Sequence, residues 1–115
     1  MTTKIYHNPR CSKSRQTLQL LNDQGVQPEV VEYLNAPPSA AELTEMLKLL
    51  GIGPRQLMRK KEAEYKAAGL DNPALSDEEL IALMAANPKV IERPIVVKDG
   101  KAVIGRPPEL VLDIL

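Results

Sequence analysis

The chain has 115 residues, with 15 Lys and Arg balancing 15 Asp and Glu, a single cysteine and a single histidine. That length holds one compact core and no second independent one. Zero net charge and the lack of Phe and Trp exclude a dedicated nucleic-acid binder with a basic face and stacking platforms, and one cysteine excludes an internal disulfide scaffold.

Lys4 to His7 reads as a short strand, chiefly because an amphipathic helix follows it over Ser12 to Gln24. In that helix Leu18 and Leu21 share a face, Leu20 flanks them, and Gly25 supplies the stop. Glu29 to Leu34 is β-branched and aromatic enough for a second strand. Strand, helix and strand within about 30 residues make a βαβ unit, normally right-handed and parallel.

Asn35-Ala36-Pro37-Pro38 breaks the chain, and Ser39 with Glu42 forms a capping box for the next helix. Its apolar face is Leu43, Met46, Leu47 and Leu50, and Gly51 ends it. Gly53-Pro54 starts a turn or short helix through Met58, and a further helix is expected from Lys60 to Ala68. Ser76 and Glu79 form a second capping box, opening a helix with Leu80, Leu83 and Met84 on one side; Asn87-Pro88 closes it. The middle of the chain is thus an all-helical insertion between two β-rich parts.

Pro94 to Lys98, Asp99-Gly100 and Lys101 to Ile104 predict a hairpin, because Asp-Gly suits the type I′ turn that matches strand twist. Gly105-Arg106-Pro107-Pro108 then leads into a last helix with Leu110, Val111 and Ile114 inward. The N-terminus shows no basic segment followed by a long apolar run. No apolar stretch nears the roughly 20 residues of a bilayer span. The expected setting is a reducing cytoplasm, where Cys11 stays a free thiol.

The chemistry gathers at Tyr6-His7-Asn8-Pro9-Arg10-Cys11-Ser12-Lys13-Ser14-Arg15, where strand hands over to helix. A thiol there meets the free N–H groups and positive dipole end of the helix, beside several cations, and both favour the nucleophilic thiolate. The alternative is a buried core cysteine, but the neighbours are polar or turn-forming and would not bury it. His7 is either a strand-end residue facing water or an imidazolium that stabilises the thiolate; sequence assigns it no orienting carboxylate. Ser14, three residues beyond Cys11, is either solvated or donates its hydroxyl to the sulfur.

Cys-x-x-Ser is the monothiol relative of Cys-x-x-Cys, so any disulfide chemistry must borrow a second thiol. A cysteine-dependent phosphatase would need arginine six residues after the nucleophile, and Thr17 stands there. Arg59, Arg93 and Arg106 are further candidates. The last two each precede a proline at an end of the hairpin, and arginine forks match tetrahedral oxyanions. Sequence alone does not bring them to Cys11.

His7-Asn8-Pro9-Arg10-Cys11-Ser12-Lys13-Ser14-Arg15, Arg59-Lys60-Lys61, Arg93-Pro94-Ile95-Val96-Val97 and Arg106-Pro107-Pro108-Glu109 resemble the glutaredoxin-coupled arsenate reductases. The resemblance runs from about Lys4 to Leu115, without the longer tail of many members. It implies one α/β domain over residues 1–115, thioredoxin-like, with a four-stranded mixed sheet, a helical insertion at about 39–88 and a cis Pro94. It further implies that Cys11 attacks arsenate, that Arg59, Arg93 and Arg106 hold the oxyanion, and that His7 and Ser14 tune the thiolate. Glutathione would act as co-substrate and glutaredoxin as partner, with no bound cofactor or metal. Two other functions use the same fold: glutathione-dependent reduction of another thiol or disulfide substrate, and regulation through binding RNA polymerase. Regulators of that kind commonly carry Cys-x-x-Cys and have little need of arginines around the first cysteine.

Overall fold

Four short, mostly β-branched segments build the sheet: β1 Thr3–His7, β2 Glu29–Glu32, β3 Ile95–Lys98 and β4 Lys101–Ile104. They lie in the order β2-β1-β3-β4. β1 runs parallel to β2 and antiparallel to β3, which pairs antiparallel with β4. The helix α1, Ser12–Asp23, connects the two parallel strands. This is the mixed sheet expected of a thioredoxin-like fold. The computed structural model describes residues 3–115. Its chain forms two compact units, one made of the segment up to Ala36 with Arg93–Leu115, the other of Pro37–Glu92.

In the sheet unit, register decides the core. Ile5 stands opposite Val96, and Val96 opposite Val103, so all three share one face of the sheet. Ile5, Val96, Leu21 and Val111 are fully buried there, with Leu18, Leu20, Val103 and Ile114 packed against them. Burial of such side chains contributes about 1.5–3 kcal/mol each. Asp99 (φ 51°) and Gly100 (φ 76°) both take positive φ, as the type I′ turn requires.

Two expectations shift here. β2 ends at Glu32 rather than Leu34 because the N–H groups of Asn35 and Ala36 both donate to the Glu32 carbonyl at 2.9 Å, curling the chain into a turn. The last helix is a 3-10 helix, Pro108–Ile114. Its repeat of three puts Pro108, Val111 and Ile114 on one side. Leu110 therefore falls off that side and is exposed, contrary to the α-helical reading.

The second unit holds α2 Ala40–Leu50, α3 Ala63–Ala67 and α4 Asp77–Ala86. Ser39 and Ser76 each close the capping box that the sequence announces. Leu43, Met46, Leu47, Leu80 and Met84 are buried. The helix expected from Lys60 begins only at Ala63. Arg59 N–H donates to Val90 O at 2.6 Å and Glu92 N–H to Leu57 O at 2.7 Å. These bonds flank a bridge between Met58 and Ile91. The chain then turns, the Glu62 N–H donating to the Arg59 carbonyl at 3.2 Å. Glu62 itself is extended (φ −71°, ψ 141°), so the helix starts after it. Arg55 stitches this unit: one guanidinium donates to the carbonyls of Leu70 and Asn72, both at 2.7 Å. No helix among the described residues is long and apolar enough to cross a membrane.

Candidate active site

The loop before α1 is held by its own side chains. The Asn8 carbonyl accepts the Cys11 N–H at 3.0 Å, and Asn8 Oδ1 accepts the Arg10 N–H at 3.0 Å. The Asn8 N–H donates to Ser14 Oγ at 3.0 Å, while Arg15 Nη1 donates to Pro9 O at 2.9 Å. These bonds place Cys11 at the N-cap of α1, with extended backbone (φ −94°, ψ 122°). The strand-to-helix junction read from sequence is therefore where Cys11 stands.

Cys11 is half-buried, and desolvation pushes its thiol pKa up. The Ser14 N–H, the guanidinium of Arg93 and then that of Arg106 outweigh this, and the thiol sits below its ordinary range. No side chain–amide bond of regular cap geometry closes between the sulfur and the helix, so the Ser14 amide acts as an aligned dipole. Arg106 Nη1 lies 3.8 Å from Cys11 Sγ and donates to the Arg93 carbonyl at 3.1 Å. Two arginines distant in sequence thus converge on the sulfur. Both precede cis prolines, Pro94 and Pro107; the resemblance implied only the first.

His7 corrects one expectation. It is buried, 6 % exposed, and desolvation lowers its pKa, with Glu32 opposing and Arg15 adding to the effect. The ring is therefore neutral at pH 7, not an imidazolium beside the sulfur. Its Nδ1 lies 2.6 Å from Ser14 Oγ. Ser14 is fully buried, and its hydroxyl is shared between His7 and the Asn8 amide. What Ser14 turns toward the sulfur is its amide, not the hydroxyl of the sequence reading.

Arg59 lies in the helical unit, where its guanidinium pairs with Glu92 at 2.8 Å and Glu62 at 3.3 Å. Burial lowers its pKa, but the two carboxylates outweigh that and hold the charge firmly.

Three residues escaped sequence reasoning. Asn8 organises the loop, and an Asn-Pro pair after a strand was the available signal. Thr17 and Gly105 form a notch. Thr17 Oγ1 donates to Lys13 O at 2.8 Å and approaches Gly105 O at 3.4 Å. A Cβ on Gly105 would meet Thr17 Oγ1 at 2.7 Å and Pro94 Cγ at 2.9 Å. The glycine therefore lets α1, Pro94 and the segment carrying Arg106 close together. A bare Gly before Arg-Pro-Pro looks only like a turn residue.

Beside the Cys11 loop lies an open cleft of about 360 Å³, lined by residues 7–10 and by Glu32, Leu34 and Asn35. A thiolate beside two guanidiniums can attack an electrophile that carries its own negative charge, because the cations offset the repulsion.

Residues 6–114 match the profile of the ArsC family. A Haemophilus influenzae arsenate reductase is 51% identical over all of both chains. An Escherichia coli K12 protein titled uncharacterized protein YfgD is 60% identical, covering 97% of this chain and 95% of its own. Among solved structures, an arsenate reductase from Vibrio cholerae superposes with a TM-score of 0.96 at 53% identity, covering 100% of this chain and 98% of its own.

Proposed function

The chain belongs to the ArsC family, and we propose that it reduces arsenate to arsenite through Cys11, with glutathione as the second thiol and glutaredoxin as the partner that restores the enzyme. The Cys11 thiolate displaces a hydroxyl of arsenate, which takes a proton from solvent and leaves as water as the S–As bond forms. Glutathione then supplies the second sulfur. Arsenic gains two electrons and leaves as arsenite, each sulfur loses one, and Cys11 is left as a mixed disulfide. A glutaredoxin thiolate takes the glutathionyl group and frees the Cys11 thiolate.

The observation that carries this reading is the convergence of Arg93 and Arg106 on the Cys11 sulfur, with Arg106 Nη1 at 3.8 Å. Two forks beside a thiolate suit a tetrahedral oxyanion. They also favour an enzyme over a regulator with the same fold. Arg59 is assigned to the oxyanion by family resemblance; its two carboxylate partners fix its position. His7 and Ser14 are positioning residues: they fix the amide that faces the sulfur.

The test is arsenite production from arsenate with glutathione, glutaredoxin and NADPH regeneration. Wild type should turn over and Cys11→Ser should not. Absence of arsenite with wild type would overturn the reading. Turnover of a disulfide in place of arsenate would mark a thiol reductase of another substrate. Arg93→Ala and Arg106→Ala should raise the arsenate KM far more than Lys101→Ala, which removes an exposed hairpin charge.

A further inference from the structure

We propose that the cleft beside Cys11 is the subsite for the peptide body of the resolving thiol, with Arg10 taking a carboxylate and Glu32 the ammonium of a small zwitterionic peptide. This rests on the reading above that the second thiol is glutathione, and adds where that thiol is held.

The cleft reaches Arg10, the residue that precedes Cys11 in the chain. Its volume of about 360 Å³ lies within the ~300–1,000 Å³ of small-molecule sites. Its charged lining residues are one exposed cation, Arg10, and one exposed anion, Glu32. The rest of the lining is uncharged: His7, whose pKa is lowered by burial, Asn8 and Asn35, and the exposed Pro9 and Leu34. Such a lining is matched to a molecule carrying both signs. An oxyanion gains more from the two arginines at the sulfur, so the two substrates have separate places. That separation is required if the thiol is to approach while the anion stays bound.

The backbone beneath both charges is anchored. The Arg10 N–H is fixed by Asn8 Oδ1 at 3.0 Å. Glu32 stands in register with His7 on β2, and its carbonyl anchors the turn through the N–H groups of Asn35 and Ala36 at 2.9 Å. An anchored backbone loses less ordering entropy on binding.

The test measures thiol exchange at Cys11 without arsenate. The Cys11 thiolate attacks glutathione disulfide; one S–S bond forms, one breaks, and a glutathione thiolate leaves. The second-order rate constant is compared with that for bis(2-hydroxyethyl) disulfide, which carries no charge. In Arg10→Gln and in Glu32→Gln the ratio of the two rate constants should fall about tenfold, the loss of one charged contact of about 1.4 kcal/mol. Lys101→Gln should leave the ratio unchanged. The sign for Glu32→Gln is decisive. Glutathione disulfide is a net anion, so a bystander carboxylate repels it and its removal would raise the ratio. A raised or constant ratio in Glu32→Gln overturns the proposal. Arsenite production by wild type with no such selectivity overturns the subsite alone; selectivity without arsenite production overturns arsenate as substrate and leaves the subsite standing.

Discussion

Ser14 Oγ lies 2.6 Å from His7 Nδ1 and accepts the Asn8 N–H at 3.0 Å. One buried hydroxyl therefore joins the end of β1, the nucleophile loop and the first turn of α1. Ser14→Ala leaves a ring nitrogen and an amide unpaired in the interior, at a cost of about 1–3 kcal/mol. Chemical denaturation should show that loss. The variant's Cys11 should also react more slowly at pH 7, because the Ser14 amide is no longer held against it. Wild-type stability in Ser14→Ala would mean water fills the gap and the hydroxyl is dispensable.

The Cys11 thiol pKa is lowered by groups that can be removed singly. Its alkylation rate should rise with pH through a midpoint below the ~8.5 of a free thiol. Arg93→Gln and Arg106→Gln should each move that midpoint upward, and the double variant should move it further. A midpoint that stays put in both would show that the helix terminus alone activates the sulfur.

His7 supplies a pH dependence with a definite sign. Its native pKa is lowered, so below about 6.5 the unfolded chain binds a proton that the native ring resists. Stability is then fully present above the unfolded value and falls as pH drops through the native one. The wild type should lose stability on acidification from pH 7 to 5 more steeply than His7→Gln does, as read by urea midpoints at each pH. Parallel slopes would place the ring in contact with solvent.

Gly105→Ala should destabilise the fold by about 1–3 kcal/mol, the usual cost of overpacking, since the new Cβ meets Thr17 and Pro94. Thr17→Ala in the same chain should return part of that loss by removing the atom met at 2.7 Å. Independent, additive losses in the double variant would show that the two residues do not share a contact.

Much of this was legible because it is local. The capping boxes at Ser39 and Ser76, the Asp99-Gly100 turn and the strand-to-helix placement of Cys11 each rest on chemistry within a few residues. The shortened β2 and the 3-10 geometry after Pro107 were less legible, since both depend on backbone bonds that propensity does not encode. The protonation of His7 could not be read, because burial is a tertiary property. Arg55 illustrates the same limit: in sequence it resembles the other arginines, yet it tethers Leu70 and Asn72. The meeting of residue 11 with residues 93 and 106 was implied by resemblance and not by any pattern in the residues.

The wide spacing of those three residues bears on the order in which reactivity arises. The bonds that shape the loop all close within residues 7–15, contacts of short sequence separation that form early in folding. The two guanidiniums arrive only with the last strands of the chain. A partly folded chain therefore presents Cys11 with the Ser14 amide in reach but without the two guanidiniums, and its thiol gains their share of the pKa lowering only when the last strands join the sheet.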